Sequence, residues 1–343
     1  MRPRKKHPWY DFAPILSRGA TFNFIAGGRG IGKTYGAKKR AIRNALAKGE
    51  QFIYLRRYKS ELTPSKQTFF ADVGNEFPEW DFRVARNEAQ AAPVSTQDDD
   101  KRPWQVIGYF VPLSTAQAQK GVSFHNVTEI IFDEFITERG NLRYLPDEVS
   151  VMLNFYSTVD RYQDKTRVLF LANSVSIMNP YFIQYDIRPD ETRQEFMLKA
   201  DGFIAAHFPN SADFQSSVYQ TAFGKFIQDT EYAEYAVGNL FGDNHLKMLA
   251  AKGSKATYLY TLELKSATVS IWYDVSNGEY YAQTKQPKQP IVFTLDAANM
   301  SEDKTLMMPN DKPLQTLRSA FRHARLSFDA PSTRNAFTEV FKR

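Results

Sequence analysis

Cysteine is absent from this 343-residue chain. That excludes disulfides, a thiolate nucleophile and a Cys-ligated zinc site, and it fits a reducing compartment. No run approaches the ~18 apolar residues of a membrane-spanning helix. The basic start "MRPRKKHPWYDFAPILSRGA" lacks the apolar core of a secretory signal. The expectation is a soluble cytoplasmic protein with no membrane partner. Histidines number five and never fall at metal-ligand spacing. Internal repeats, heptads and low-complexity tracts are missing too. Acid is scarce at both ends. Residues 1–40 hold ten Lys/Arg against Asp11 alone, and residues 312–343 hold seven against Asp329 and Glu339. With a net charge of +6, such blocks suit a polyanionic partner; basic ends kept for solubility are the plainer alternative.

What is present is ordinary globular composition, 43% hydrophobic and 24% charged, with length for about two domains. "FNFIAG" (22–27), "QFIYLRR" (51–57), "VTEIIFDEF" (127–135) and "TRVLFLANS" (166–174) are near-continuous apolar runs. They predict strands of a mostly parallel sheet covered on both faces, joined by crossover helices. "DFRVAR" and "WQVIGYFVPL", separated by the polar "NEAQAAPVSTQDDDKRP", predict an inserted antiparallel hairpin with a solvated tip. The pattern changes after His207. Residues 213–239 predict short aromatic-rich helices. From about Asp243 alternating strands begin, and Asn277-Gly278 signals a type I′ hairpin. The divisions are 1–207, 208–242 and 243–343.

"FNFIAGGRGIGKTYGAKK" places Gly27-x-x-x-x-Gly32-Lys33-Thr34 between a predicted strand and a predicted helix, which is the P-loop context. Gly27, Gly28, Arg29, Gly30, Ile31 and Gly32 would wrap backbone N–H groups around phosphate at a helix N-terminus. Lys33 would reach the β- and γ-phosphates of ATP, and the Thr34 hydroxyl would ligate Mg²⁺. In "TEIIFDEF", Asp133 would hold Mg²⁺ at a strand's C-terminal end, and Glu134 would polarise the attacking water. Asn173 ends the apolar strand "VLFLAN", where it would contact water or γ-phosphate; simple strand termination is the alternative. The N-K-x-D of GTPases is missing, and "LSTAQAQ" (113–119) lacks the paired glycines of an ABC signature. A hydrolytic, motor-type ATPase remains. A strand-separating helicase and a nucleotide-gated nucleic-acid adaptor stay open beside it.

"GGRGIGKTYGAKK", "KGEQFIYLRRYKSEL", "NVTEIIFDEF", "YLPDEVSVMLNFYSTVDR" and "LANSVSIMNPYF" follow one another in an order and spacing that resembles the DNA-packaging ATPases of small short-tailed phages with protein-primed linear genomes. The similarity runs from about residue 20 to the C-terminus. It implies an α/β fold: an ASCE-type P-loop domain, a small helical linker, and an α+β C-terminal domain of RNase H-like shape without nuclease activity. It also implies a homo-oligomeric ring, usually a pentamer, that sits on the portal protein of a procapsid and drives double-stranded DNA inward, with a structural RNA as a further partner. By position, Arg161 matches the family's arginine finger and Lys59 a lysine that also acts across the subunit interface. From the residues alone, Arg161 reads equally as a surface arginine. Arg29 is left without a single assigned role.

In "TYLYTLELKSATVSIWYDV" only Glu263 and Asp274 are acidic, too few for the converging carboxylates of a two-metal nuclease. The last predicted helix sets Leu314, Leu317, Phe321, Ala324 and Phe328 on one face, with Arg318, Arg322 and Arg325 on another. That basic stripe suits sequence-independent phosphate contact; a solvated face, or contact with portal or RNA, would use the same pattern.

Overall fold

The computed structural model describes residues 9–95, 101–116, 124–137, 143–173, 179–189, 195–209, 212–228, 230, 233, 249–322 and 325–341. The chain divides into two compact units, residues 1–177 with 185–242, and residues 178–184 with 243–343.

The first unit carries strands β1 (Phe22–Gly27), β2 (Gln51–Arg56), β3 (Trp80–Ala85), β4 (Glu88–Pro93), β5 (Gln105–Pro112), β6 (Val127–Asp133), β7 (Arg167–Asn173), β8 (Phe196–Lys199) and β9 (Ile204–His207). They form one sheet in the order β3-β4-β5-β2-β6-β7-β1-β9-β8. The run from β5 to β9 is parallel throughout. All six residues of β1 are buried, as continuous apolar strands covered on both faces require. Across β1 and β7, Phe24 lies opposite Phe170 with ring centroids 4.2 Å apart, a stacked pair that adds about 1 kcal/mol beyond burial.

Helices α1 (Ala13–Leu16), α2 (Lys33–Lys48), α3 (Lys59–Gln67) and α4 (Glu148–Asp160) cover these strands; α5 (Pro180–Tyr185) lies almost wholly in the second unit, and α6 (Ala212–Tyr219) and α7 (Ala222–Ile227) pack on each other after β9. Ala37, Ala41, Ile42 and Ala45 are the buried apolar stripe of α2, small enough at three of four positions to bring the helix close to the sheet. The helix ends at Gly49, whose N–H bonds the Ala45 carbonyl.

Two expectations for this unit change. The expected hairpin between the two inserted strands contains a third strand: "EAQAAP", read as polar loop, is β4, with Ala89, Ala91 and Ala92 buried. Pairing on both sides supplies what weak alanine propensity does not, and β5 pairs with β4, not with β3. Of the expected linker 208–242, α6 and α7 fall within the described residues; 210–211, 229, 231–232 and 234–242 lie outside them.

The second unit has strands β10 (Thr257–Glu263), β11 (Thr268–Asp274), β12 (Glu279–Gln283), β13 (Val292–Thr294), β14 (Lys304–Leu306) and β15 (Leu326–Phe328), with α8 (Lys312–Arg322) and α9 (Pro331–Phe337). The sheet order is β14-β13-β10-β11-β12-β15. An antiparallel meander of three strands is flanked by strands running parallel to its two outer members. The β11–β12 connection is not a two-residue type I′ turn. Asp274 pairs with Glu279, which leaves 275–278 as the loop. Gly278 has φ +74° while Asn277 is not left-handed. The Asp274 carboxylate accepts from Ser276 N and Oγ, and Asn277 Oδ1 accepts from Glu279 N. Local side-chain capping thus selects the longer turn. The last predicted helix is also shorter. It stops at Arg322, and 326–328 pairs in parallel with β12, so long-range strand pairing overrides the helical period.

The fold is therefore α/β, with mostly parallel strands in the first unit and a mixed sheet in the second. Among the described residues, no helix is long and apolar enough to cross a membrane.

Candidate active site

The carboxyl ends of β1, β6 and β7 meet the N-terminus of α2, and a cavity of about 240 Å³ opens there. Lys33, Thr34, Asp133, Glu134 and Asn173 line it, with Arg29, Gly30 and Gly32 on the loop side. β7 lies between β1 and β6, which puts Asn173 between the phosphate loop and the two acids. Eight residues expected to act together are thus brought to one cavity. Gly27 closes β1, and Gly28 and Ile31 are buried beneath the loop.

Lys33 is buried, and its Nζ donates to the carbonyls of Gly27 (3.0 Å) and Gly28 (2.8 Å) and to Asn173 Oδ1 (3.4 Å). Burial lowers its pKa to about 7, against the opposing pull of Asp133. The Thr34 hydroxyl donates to Asp133 Oδ1 at 2.8 Å. The other oxygen, Oδ2, accepts from the Tyr54 hydroxyl at 2.6 Å and lies 3.4 Å from Arg56 Nη1. Burial, and then the charge of Asp133, push the Tyr54 hydroxyl well above its usual range, so it stays a donor.

Arg56 reaches further. Its Nη2 lies 2.5 Å from Glu134 Oε2 and 3.6 Å from Glu61 Oε1. Burial disfavours its charge, but Asp133 and then Glu134 outweigh burial and hold the guanidinium charged. Glu134 itself follows β6 with φ +58° and a side chain 48% exposed. It is a carboxylate aimed at the cavity and held by a salt bridge. Residue-by-residue reading missed Tyr54 and Arg56. Their sequence signal is the abrupt "YLRR" at the end of an apolar strand.

The next residue, Arg57, is fully buried and forks onto Glu148 at 2.6 and 3.0 Å. It also donates to the Phe135 carbonyl at 2.6 Å and the Glu134 carbonyl at 3.3 Å. Glu148 opens α4, so β2, the end of β6 and α4 share one buried charge pair. Breaking such a pair from one side costs about 3–5 kcal/mol.

Arg161 and Lys59 do not line this cavity; both are exposed. Lys59 opens α3. Arg161 caps α4 with φ +54°, followed by Tyr162 at φ +57°, which is 89% exposed. Buried Asp160 braces this tip: its carboxylate accepts the backbone N–H groups of Gln163, Asp164, Lys165 and Thr166.

In the second unit the arginines do not form one helical stripe. Arg318, on α8, donates to the carbonyls of Val340 (2.9 Å) and Pro309 (2.8 Å). Arg322 ends the helix, and Arg325 lies beyond it, exposed. Glu263 pairs with Lys304 at 2.7 Å, and Asp274 holds its turn. Among the described residues, no group of three or more His, Asp or Glu side chains is placed to hold a metal. Thr34 and Asp133 alone supply two hard oxygens in hydrogen-bond contact, which fits Mg²⁺, an ion that keeps most of its shell as water and phosphate.

Comparison with known proteins places this geometry in context. The chain matches the Podovirus DNA encapsidation protein (Gp16) family over residues 4–343. It is 35% identical over 342 residues to the DNA packaging protein of Bacillus phage PZA, covering 98% of both chains. A chain of the bacteriophage Phi-29 viral genome packaging motor assembly superposes with a TM-score of 0.62 at 34% identity, covering 98% of this chain and 99% of that one. The N-terminal domain of the DNA packaging ATPase from bacteriophage phi29 gives a TM-score of 0.53 at 37% identity, over 60% of this chain and 98% of that domain. With strand order, phosphate loop and full-length similarity in agreement, the chain belongs to the Podovirus DNA encapsidation protein (Gp16) family.

Proposed function

We propose that this protein is a ring ATPase that hydrolyses ATP to move double-stranded DNA through the portal into a preformed procapsid. The observation that carries the reading is the placement of Glu134 beside the Thr34–Asp133 pair and Lys33, at the carboxyl end of a parallel sheet. The names of the similar proteins, DNA packaging protein and DNA packaging ATPase, support it.

In this reading Lys33 leaves the loop carbonyls for the β- and γ-phosphates, and the α2 N-terminus adds its dipole. Mg²⁺, held by Thr34 and Asp133, would neutralise charge on the transferred phosphoryl group. Glu134 accepts the proton of the attacking water. While it is bound to Arg56 it cannot do so, so that pairing sets when the base is available. Asn173, which already touches Lys33, orients the water or the γ-phosphate. Arg161 and Lys59 act on the neighbouring subunit's nucleotide, the ring being a homo-oligomer, taken as a pentamer; a guanidinium supplied in this way contributes about 10³–10⁵ in rate. Residues 1–207 form the ATPase domain, 208–242 the linker, and 243–343 a domain that binds DNA, portal or a structural RNA without cutting nucleic acid. The motor would work in the host cytoplasm, docked transiently at the procapsid.

Steady-state phosphate release, with and without long duplex DNA, tests the reading. Wild-type turnover should rise with duplex, and Glu134→Gln should bind ATP but stop. Normal hydrolysis by Glu134→Gln would overturn the base assignment. Tight binding with no phosphate release in wild type would favour a nucleotide-gated adaptor.

A further inference from the structure

The phosphate loop is covered by a segment that the function above does not use. Tyr10 N donates to the Ile31 carbonyl at 2.8 Å, so residues 9–12 are tied to the loop itself. The Tyr10 hydroxyl meets His207 Nδ1 at 2.6 Å, and His207 Nε2 lies 2.9 Å from Glu195 Oε1. Phe12 packs against bare Gly36 of α2. Trp9, held by these anchors, meets Gly32 with the Cε3 edge of its indole. A Cβ there would overlap the indole, and the φ of +83° at Gly32 disfavours any side chain.

Trp9 nevertheless remains 53% exposed, a large apolar ring left at the surface at the edge of the phosphate loop. Its ring centroid is 5.5 Å from that of Tyr35, at an interplanar angle of 31°. Tyr35 lines the cavity one residue past Thr34. Glu76 holds Tyr35 in place by accepting its hydroxyl, and Lys39 pairs with the same carboxylate at 2.6 Å. Asp133, Glu134 and Asn173 mark the part of the cavity where the terminal phosphate reacts. Base and ribose must leave by another wall. Among the lining residues, Tyr35 carries the aromatic surface and continues into Trp9.

We propose that Trp9 and Tyr35 form an aromatic wall on which the base of the bound nucleotide stacks. The inference rests on the nucleotide reading of the cavity. Stacking recognises any base by its π-face, so this wall contributes affinity with little discrimination between purines, in keeping with a chain that lacks the base-reading N-K-x-D.

The test is calorimetric binding to the full-length protein of two probes, a non-hydrolysable ATP analogue and inorganic tripolyphosphate, each with Mg²⁺. Trp9→Ala should weaken the analogue about five- to a hundred-fold, the range of a lost base–aromatic stack. Tripolyphosphate, having no base, should bind as it does to wild type. Trp9→Phe should retain most of the affinity. Tyr35→Ala should act like Trp9→Ala, whereas Tyr35→Phe, which keeps the ring, should not. Unchanged analogue binding in Trp9→Ala overturns the wall. Equal weakening of both probes also overturns it, because Trp9 would then merely support the phosphate loop. Failure of wild type to bind either probe would instead remove the nucleotide reading itself.

Discussion

Arg56 and Glu134 stand at the ends of adjacent parallel strands, guanidinium nitrogen to carboxylate oxygen at 2.5 Å. The pair joins the group proposed to activate water to one that also touches Asp133. A base held in this way is available only when something else takes the arginine or the glutamate.

Replacing Arg56 by Lys keeps a positive charge but loses the fork that reaches Asp133 and Glu134 together. Arg56→Lys should therefore raise DNA-independent phosphate release several-fold and shrink the stimulation by duplex. Arg56→Ala leaves Asp133 and Glu61 without their buried counter-charge and should lower the melting temperature as well. A Lys variant with wild-type basal and stimulated rates would show that the pair does not hold the base back.

The brace beneath Arg161 makes a separate prediction. Burial works against the charge of Asp160, but the N–H groups of Thr166, Asp164 and Lys165 outweigh it and hold the carboxyl below its usual range. Asp160→Asn should cost about 1–3 kcal/mol of stability and reduce turnover of the assembled ring. Nucleotide affinity of the isolated subunit should not move. Arg161→Ala should reduce the same turnover without the loss of stability. Identical melting curves for Asp160→Asn and wild type would count against the brace.

His207 links pH to the anchored N-terminal segment. Burial lowers its pKa below 6.5, with Glu195 pulling the other way. Between the folded-state value and 6.5 the unfolded chain binds more protons, so stability is present above 6.5 and falls as pH drops through that window. Melting temperature followed from pH 7.5 down to 5 should show the decline, and His207→Gln should flatten it. A variant with the wild-type slope would place the titrating group elsewhere.

Arg318 and Arg325, one stripe by sequence, should separate in experiment. Arg318 braces two carbonyls of its own unit, so Arg318→Ala should destabilise by about 1–2 kcal/mol. Arg325 is exposed, as a phosphate contact requires. Arg325→Ala should leave stability alone, weaken duplex binding uniformly across sequences and reduce its salt slope by about one. A salt slope unchanged in Arg325→Ala would remove it from the DNA surface.

The strands β1, β2, β6 and β7 were legible because a covered parallel strand must be apolar along its whole length. The grouping of Lys33, Thr34, Asp133 and Asn173 was legible for a related reason: each sits at a strand end or helix start that the sequence marks locally. Arg56 was not, because it meets Glu134 through the pairing of β2 with β6, 78 residues apart in sequence. Trp9 was hidden in the same way, because it meets Gly32 and Tyr35 only in the folded chain. β4 was lost to its alanines, and Leu326–Phe328 to a helical period that β12 overrules.

Arg56 closes β2 and Arg57 follows it in the bend beyond, and their side chains grip two different carboxylates. One grips Glu134, and its neighbour grips Glu148 at the start of the helix that ends in Arg161. The two grips hold separate carboxylates. On the proposed reading, letting go of Glu134 would free a proton acceptor while the Arg57–Glu148 weld keeps the start of α4 in place. In that cycle the same strand terminus would serve as latch and hinge-pin, the latch opening many times without the pin being drawn.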